Sequence, residues 1–112
     1  MVSSSNIDEL TSLYNENYLN EKISQEINKS SKNNKNFSLV RFDIDNFDNI
    51  NKKYGFEFGN KILIQMSNFL RNSIRSTDIP FRYKAEQFII LLPGIKLEDS
   101  LIFANRIKKK NK

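Results

Sequence analysis

Three carboxylates lie beside the most apolar stretches of the chain. Asp43 and Asp45 follow the apolar run that starts at Phe37, and Glu86 separates two further apolar runs. A carboxylate at the end of a buried strand, with another in a turn between two strands, can hold magnesium against a triphosphate. The alternative is that Asp43 and Asp45 only cap the next helix, whose N-terminus favours negative charge. The pattern therefore makes a nucleotide site the first hypothesis.

The composition narrows the chemistry. The chain has 112 residues, a net charge of +5, and no His, Cys or Trp. Disulfides, thiolate chemistry, imidazole catalysis and His- or Cys-ligated metals are excluded, so any metal must be bound through oxygen. No apolar run approaches the roughly 20 residues that span a bilayer, and the polar start has no apolar signal region. We therefore expect a cytoplasmic protein with no membrane contact.

The basic residues fall into two clusters. Three lysines lie in the Asn/Ser-rich stretch 28–36. A second group of lysines and one arginine lies in the C-terminal residues 106–112. A nucleic-acid surface would interleave such charge with aromatic side chains, and neither cluster does. A solvated loop and a helix end are the favoured interpretations, so no nucleic-acid partner is expected.

Hydrophobic periodicity predicts seven elements. An N-terminal helix is expected over Ile7–Ile27, interrupted near Asn15, and a loop over Asn28–Asn36. The later elements are a strand at Phe37–Ile44, helices at Phe47–Tyr54 and Phe58–Ile74, strands at Ile79–Tyr83 and Phe88–Leu92, and a last helix at Leu97–Lys109. The first strand is almost continuously apolar, which is typical of a central strand covered on both faces.

This order predicts a single α/β domain over residues 1–112. The N-terminal helix and loop occupy 1–36 and the core occupies 37–112. The helices between the first two strands would let those strands run parallel, whereas the later hairpin must be antiparallel, so a mixed sheet with helices on both faces is expected. Three strands leave open edges, which invite a partner.

Several motifs, in a fixed order, resemble the GGDEF family of diguanylate cyclases. Residues 8–15 (D-E-L-T-S-L-Y-N) resemble the family's D-x-L-T-G-L-x-N segment. Residues 42–47 (F-D-I-D-N-F) resemble its F-D-I-D-x-F strand end, and residues 84–88 (K-A-E-Q-F) stand where the family has Gly-Gly-Asp/Glu-Glu-Phe. Independent motifs in the right order are specific, whereas Asp-Ile-Asp alone is weak.

The resemblance implies a palm-like sandwich of the nucleotidyl-cyclase type and a reaction that condenses two GTP molecules into cyclic dimeric GMP. That reaction needs magnesium and two half-sites facing each other in a homodimer. Carried onto this chain, the metal ligands are Asp43, the carbonyl of Ile44, and Glu86. The partners implied are GTP or cyclic dimeric GMP.

The signature turn departs from the family pattern. Lys84 and Ala85 replace two glycines, which permit positive φ and close approach of a ligand. At the catalytic positions Glu86 is retained, but Gln87 replaces a carboxylate by an amide that cannot act as a base. The family's C-terminal strand, helix and hairpin have no counterpart after Lys112. We therefore expect a truncated, degenerate domain that is inactive alone and acts as a nucleotide-binding or regulatory module in bacterial cyclic dimeric GMP signalling. The alternatives are a cyclase of low activity and a dimerisation module without a ligand.

The resemblance also assigns substrate-binding positions to Asn46, Phe47, Asn51 and Asn60. Asn51 matches the family's guanine-contacting asparagine. Asn60 stands where an aspartate is common, and an amide there would turn a donor toward a guanine donor, at a cost of roughly 1–3 kcal/mol. Asp48 replaces a lysine common near the phosphates. Weak selectivity for guanine is therefore expected.

A last motif precedes the hairpin. Arg75-Ser76-Thr77-Asp78 preserves the R-x-x-D pattern that forms the family's product-binding inhibitory site. In that role Arg75 would pair with a phosphate or a guanine edge and Asp78 with guanine donors. The alternative is that Asp78 caps a turn while Arg75 lies in solvent.

Overall fold

The computed structural model of the chain describes residues 4–110, which form four α-helices and a three-stranded sheet. A short 3-10 turn at Ser4–Asn6 precedes the first helix. The elements are α1 (Glu16–Asn33), β1 (Phe37–Asp43), α2 (Phe47–Tyr54), α3 (Phe56–Ser73), β2 (Ile79–Lys84), β3 (Gln87–Pro93) and α4 (Leu97–Lys110). The sequence-based expectation of an α/β fold is confirmed.

The sheet has the order β1-β3-β2, and both neighbouring pairs are antiparallel. The expectation of a mixed sheet is therefore wrong for the described residues. β1 and β2 do point the same way, as strands joined by a helical connection should, but β3 lies between them. Because β3 turns back from β2 and inserts beside β1, every hydrogen-bonded neighbour is antiparallel.

Helices cover both faces of the sheet, as expected. Alternate residues of β3 serve the two faces: Phe88 and Ile90 belong to a core shared with α2, α3 and α4, while Leu91 belongs to a core under α1. This alternation follows from the two-residue repeat of a strand. All three side chains are fully buried. β3 is thus the central strand, and the helices on both faces of the sheet pack against it.

The N-terminal region differs from its prediction. Residues 7–14 form a turn and two isolated bridges instead of helix, and α1 begins only at Glu16, where the Asn15 side chain accepts a hydrogen bond from the Tyr18 backbone N–H at 3.2 Å. Ser12 has a positive φ of 63°, which a helix does not allow. At the other end α1 continues through the predicted loop to Asn33, and Asn34 closes it in a left-handed conformation.

The remaining elements lie close to their predicted bounds. α2 has the predicted bounds and ends at Gly55, whose φ of 93° suits a residue without Cβ. α3 starts two residues earlier than predicted, directly after that glycine. The predicted hairpin is present and each of its strands is slightly longer than expected. These segments carry strong period-3.6 or period-2 patterns, which explains the agreement.

Candidate functional site

The three residues assigned to a metal lie together at one end of the sheet. Asp43 is paired with Gln87 across β1 and β3, and the Ile44 backbone N–H donates to the Glu86 carbonyl at 3.2 Å. Strand pairing therefore brings the end of β1 against the signature turn. Among the described residues no three acidic side chains come together in a way that could hold a metal ion. Two carboxylates and a carbonyl are the oxygen donors that this end of the sheet offers.

A nearby arginine forms an ion pair with one of these carboxylates. Arg41 donates from Nε to Asp43 Oδ1 at 3.0 Å and from Nη2 to Asp43 Oδ2 at 3.1 Å. This fork uses both carboxylate oxygens, and the hydrogen bonds raise the pKa of Arg41. Both side chains are open to solvent. A cation at Asp43 would share the carboxylate with this guanidinium or displace it.

Helix capping does not explain the two aspartates. The N-cap position of α2 is Asn46, which has a positive φ of 57° and makes no side-chain capping hydrogen bond. Asp43 is engaged by Arg41, and Asp45 is exposed. The capping alternative for Asp43 and Asp45 therefore finds no support in the structure.

The altered signature turn is accommodated without a left-handed residue. Lys84 pairs with Gln87, Ala85 and Glu86 form the turn, and none of the four has a positive φ. The Lys84 ammonium lies 3.5 Å from a carboxylate oxygen of Glu16 and 5.0 Å from the centre of the Tyr83 ring. The two glycines of the family are thus not needed for this turn geometry.

The N-terminal motif makes a structural cluster that the sequence did not predict. Asp8 accepts hydrogen bonds from the Thr11 backbone N–H at 2.9 Å and hydroxyl at 2.7 Å, and it receives Arg82 Nη1 at 3.1 Å. Partial burial opposes ionisation of Asp8, but the hydrogen bonds from Thr11 and Arg82 outweigh it and lower the pKa of Asp8. The carboxylate is therefore held ionised at neutral pH.

Arg82 links this cluster to the signature turn. Its Nε donates to the Ala85 carbonyl at 2.9 Å, and its backbone N–H donates to the Tyr14 carbonyl at 2.9 Å. Arg71 binds the Thr11 carbonyl from α3. The D-x-L-T segment is thus tied to the hairpin that carries Glu86. A partial signal was available in the sequence, since Asp8 belongs to the quoted N-terminal motif and Arg82 lies two residues before the signature turn.

The positions assigned to the base lie at the contact of α2 with α3. Asn51 Oδ1 is buried and has no hydrogen-bond partner among the described residues. A Cβ on Gly59 would lie 1.9 Å from that oxygen and 3.2 Å from the Phe47 ring, so only glycine allows this close contact. Asn60 follows on the exposed side of α3, and Asn46 is exposed before α2. The fold brings Phe47, Asn51 and Asn60 near one another; base recognition by them stays a prediction.

The R-x-x-D tetrad forms a tight, asymmetric ion pair. Arg75 Nη2 lies 2.6 Å from Asp78 Oδ1, Arg75 Nε lies 3.1 Å from both carboxylate oxygens, and the Arg75 backbone N–H donates to Oδ2 at 3.0 Å. The side chain of Asp78 is 1% exposed and that of Arg75 is 50% exposed. Hydrogen bonding to Asp78 raises the pKa of Arg75. The buried carboxylate therefore fixes a guanidinium whose other side faces solvent.

A groove runs from this pair to α4. It is lined by Arg75, Asp78, Asp99, Phe103 and Arg106, and the Arg106 guanidinium lies 5.2 Å from the centre of the Phe103 ring. Arg75 also donates to the Pro93 carbonyl at 3.2 Å, at the end of the sheet opposite the signature turn. Two arginines and an aromatic ring in one groove suit a phosphate and a purine.

No helix among the described residues is long and apolar enough to cross a membrane.

In comparisons with known proteins, the sequence model of the GGDEF domain of diguanylate cyclases matches residues 5–112. The response regulator PleD of Caulobacter vibrioides is 31% identical over 90% of this chain and 22% of its own length. Diguanylate cyclase DgcS of Shewanella oneidensis is 34% identical over 78% of this chain and 29% of its own length. The chain thus spans less than a third of these curated relatives.

Solved structures show the same fold. Diguanylate cyclase SiaD of Pseudomonas aeruginosa, solved with its activator SiaC, superposes with a TM-score of 0.88 at 27% identity, covering 95% of this chain and 41% of that one. The GGDEF domain of Caulobacter crescentus DgcB, solved with cyclic di-GMP, gives a TM-score of 0.88 at 18% identity over 96% of this chain and 61% of that one. The family match over residues 5–112 and the shared fold lead to one conclusion: this chain belongs to the GGDEF domain family.

Proposed function

We propose that this chain is a degenerate GGDEF module that binds cyclic dimeric GMP at the Arg75–Asp78 groove, and that it is inactive as a cyclase by itself. The proposal places it in the bacterial cytoplasm as a nucleotide-binding, regulatory part of cyclic dimeric GMP signalling. The named relatives are bacterial signalling proteins, which supports that setting.

The observation that carries the proposal is the geometry of Arg75. Its Nε and Nη2 are held by a buried carboxylate, so the guanidinium is oriented before any ligand arrives. Preorganisation of this kind reduces the entropy lost on binding. Arg106 lines the same groove and adds a second guanidinium. Because Asp78 and Asp99 also line the groove, a ligand with two phosphates would be held by directed hydrogen bonds from the guanidinium groups and not by net positive charge. Phe103 offers an aromatic surface beside them.

Catalysis is disfavoured by the other end of the sheet. Arg41 engages both oxygens of Asp43, so a cation there competes with a guanidinium, and the amide Gln87 supplies no negative charge beside it. Lys84 is engaged with Glu16. A metal and a triphosphate would compete with the first of these interactions. These contacts favour a module that binds cyclic dimeric GMP over one that synthesises it.

The test is calorimetric titration of the chain with cyclic dimeric GMP. We expect saturable binding, a loss of at least tenfold in affinity for Arg75→Ala, and a smaller loss for Arg106→Ala. Arg41→Ala is the matched control, because it removes an exposed arginine from the other end of the sheet, and it should bind like the wild type. Absence of heat at high micromolar ligand, or equal losses in Arg41→Ala and Arg75→Ala, would reject the proposal.

A second candidate is a residual magnesium–triphosphate site, the low-activity cyclase alternative. It is supported by the contact between Ile44 and Glu86, which keeps the metal ligands of the family together. Where magnesium binds, it would be held by Asp43, the Ile44 carbonyl and Glu86, and it would neutralise the charge of the triphosphate.

Because Arg41 competes for Asp43, Arg41→Ala should strengthen magnesium-dependent binding of GTP several-fold, while Asp43→Ala should abolish it. Binding followed by fluorescence of a labelled GTP analogue, with and without magnesium, checks this. Formation of a cyclic dinucleotide from GTP and magnesium at high protein concentration would favour the enzyme over the regulatory module. No magnesium dependence in the wild type or in Arg41→Ala would remove this candidate.

A further inference from the structure

A second groove adjoins the Arg75–Asp78 pair. Its walls are the N-terminal turn around Ser12, the last turn of α3 with Arg71, and the residues that follow α3 as far as Pro80. Arg75 and Asp78 line this N-terminal groove as well as the groove beside α4, so the pair is common to both. The N-terminal groove has a volume of about 350 Å³, which is in the range of small-ligand sites. A ligand bound at Arg75 can therefore extend into it.

Arg71 is held in place beside this groove and still has donors to offer. Its Nη1 donates to Asn68 Oδ1 at 2.8 Å, and its Nη2 donates to the Thr11 carbonyl. An arginine has five N–H donors, and the other three of Arg71 have no partner among residues 4–110. Both acceptors are neutral, whereas Arg75 is paired with a carboxylate. The positive charge of Arg71 is therefore available to an anion.

Two hydroxyl groups add to this donor set. Ser12 and Ser76 line the groove, both are exposed, and neither hydroxyl makes a hydrogen bond within residues 4–110. Asp78 is the one acidic residue that lines the described part of the groove, and Arg75 donates to both of its carboxylate oxygens. A phosphate group carries several oxygens that accept hydrogen bonds from guanidinium and hydroxyl donors. The N-terminal groove thus suits a phosphate.

We propose, on the basis of the proposed function, that the N-terminal groove binds a terminal phosphomonoester, so that the Arg75 site also takes a linear guanosine dinucleotide with a 5′-phosphate. In a cyclic dinucleotide both phosphates are diesters inside the ring, and Arg75 and Arg106 are the guanidinium groups beside them. The linear form keeps one diester and carries its second phosphate at a free end, with an additional negative charge. That end is not tied to a ring and extends past Arg75 to Arg71.

The test is calorimetric titration without magnesium. The ligands are cyclic dimeric GMP, the linear dinucleotide with its 5′-phosphate, and the same linear dinucleotide without that phosphate. The wild type should bind the phosphorylated linear form about tenfold more tightly than the unphosphorylated one, as expected for a charge-assisted hydrogen bond. Arg71→Gln should remove most of this difference and leave the affinity for cyclic dimeric GMP unchanged. Lys61→Gln, which removes an exposed positive charge from the same helix, is the matched control and should keep the difference.

A second variant leaves the contact between Arg71 and Thr11 in place. Ser76→Asp sets a negative charge in the N-terminal groove, so it should abolish the advantage of the 5′-phosphate by repulsion. The unphosphorylated linear dinucleotide carries no terminal charge and should bind this variant like the wild type. Circular dichroism of each variant checks that it is folded.

Each contrary outcome has its own meaning. Equal affinity of the wild type for the two linear forms, or a difference that persists in Arg71→Gln, would overturn the proposal while leaving the binding of cyclic dimeric GMP intact. Loss of the difference in Lys61→Gln as well would reduce it to a general effect of charge and would also overturn the proposal. Guanosine 5′-monophosphate binding as tightly as the phosphorylated linear dinucleotide would contradict a ligand that spans both grooves. No binding of any dinucleotide would reject the proposed function, and this proposal with it.

Discussion

Two arginine–aspartate pairs stand at opposite ends of the sheet, and they differ in how they are buried. In the Arg75–Asp78 pair the carboxylate is enclosed and the arginine is half exposed, whereas in the Arg41–Asp43 pair both partners face solvent. The first pair builds a fixed guanidinium into the protein. The second is a contact between two exposed side chains, of a kind that contributes little to stability. The same two residue types thus form a structural pair where the carboxylate is buried and a weak surface contact where both partners are exposed.

Breaking the buried Arg75–Asp78 pair should change the stability of the chain most. Asp78→Ala removes the acceptor for the Arg75 backbone N–H, Nε and Nη2, and we expect the free energy of unfolding to fall by roughly 1.5–3 kcal/mol. Asp43→Ala removes an exposed acceptor and should change stability little. Urea denaturation of both variants checks the difference. Equal losses would contradict the contrast between the two ends of the sheet.

A third pair, Asp8 with Arg82, is intermediate in burial, and its contribution to stability should depend on pH. Because the pKa of Asp8 is lowered on folding, its contribution is present above the usual value of 3.8 and disappears as the pH falls through the lower folded value. We expect Asp8→Asn to cost about 1 kcal/mol at pH 7. That cost should shrink below pH 3.8, as followed by denaturation across pH. A cost independent of pH would show that the charge of Asp8 does not matter.

The smallest expected effects concern two departures from the family's glycines. Ser12 has a positive φ, so Ser12→Gly should stabilise the chain by about 1 kcal/mol. Ala85 lies in the signature turn without a positive φ, so Ala85→Gly should destabilise by about 0.4–1 kcal/mol through greater freedom of the unfolded chain. Thermal melts of the two variants should therefore shift in opposite directions. Shifts of the same sign would contradict the backbone geometry.

The sequence predicted the elements that carry a strong local pattern. The strand ending at Asp43, the helix stopping at Gly55 and the hairpin around Glu86 are where their apolar repeats and turn residues indicated. The expectation of a helix over Ile7–Tyr14 was wrong. The apolar spacing of this segment is compatible with a helix, but Thr11 and Arg82 bind Asp8 and hold the segment in a turn.

The parts that failed depend on contacts between distant residues. The insertion of β3 between β1 and β2 is decided by packing on both faces, which no local pattern records. The same holds for the candidate site. Proximity of Asp43 to Glu86 followed from the motifs, but the Arg41 fork depends on side-chain conformation two residues away, and the role of Arg82 depends on a contact across the chain.

The antiparallel pairing of β1 with β3 also has a kinetic consequence. Phe37 pairs with Pro93, so about half of the chain must be organised before this ladder can close, whereas β2 and β3 are joined by a tight turn. Pairings distant in sequence form slowly because the loop must close first. The hairpin should therefore form early and β1 should dock late. During synthesis, β1 is the first strand to be made and the one that waits longest for its first partner.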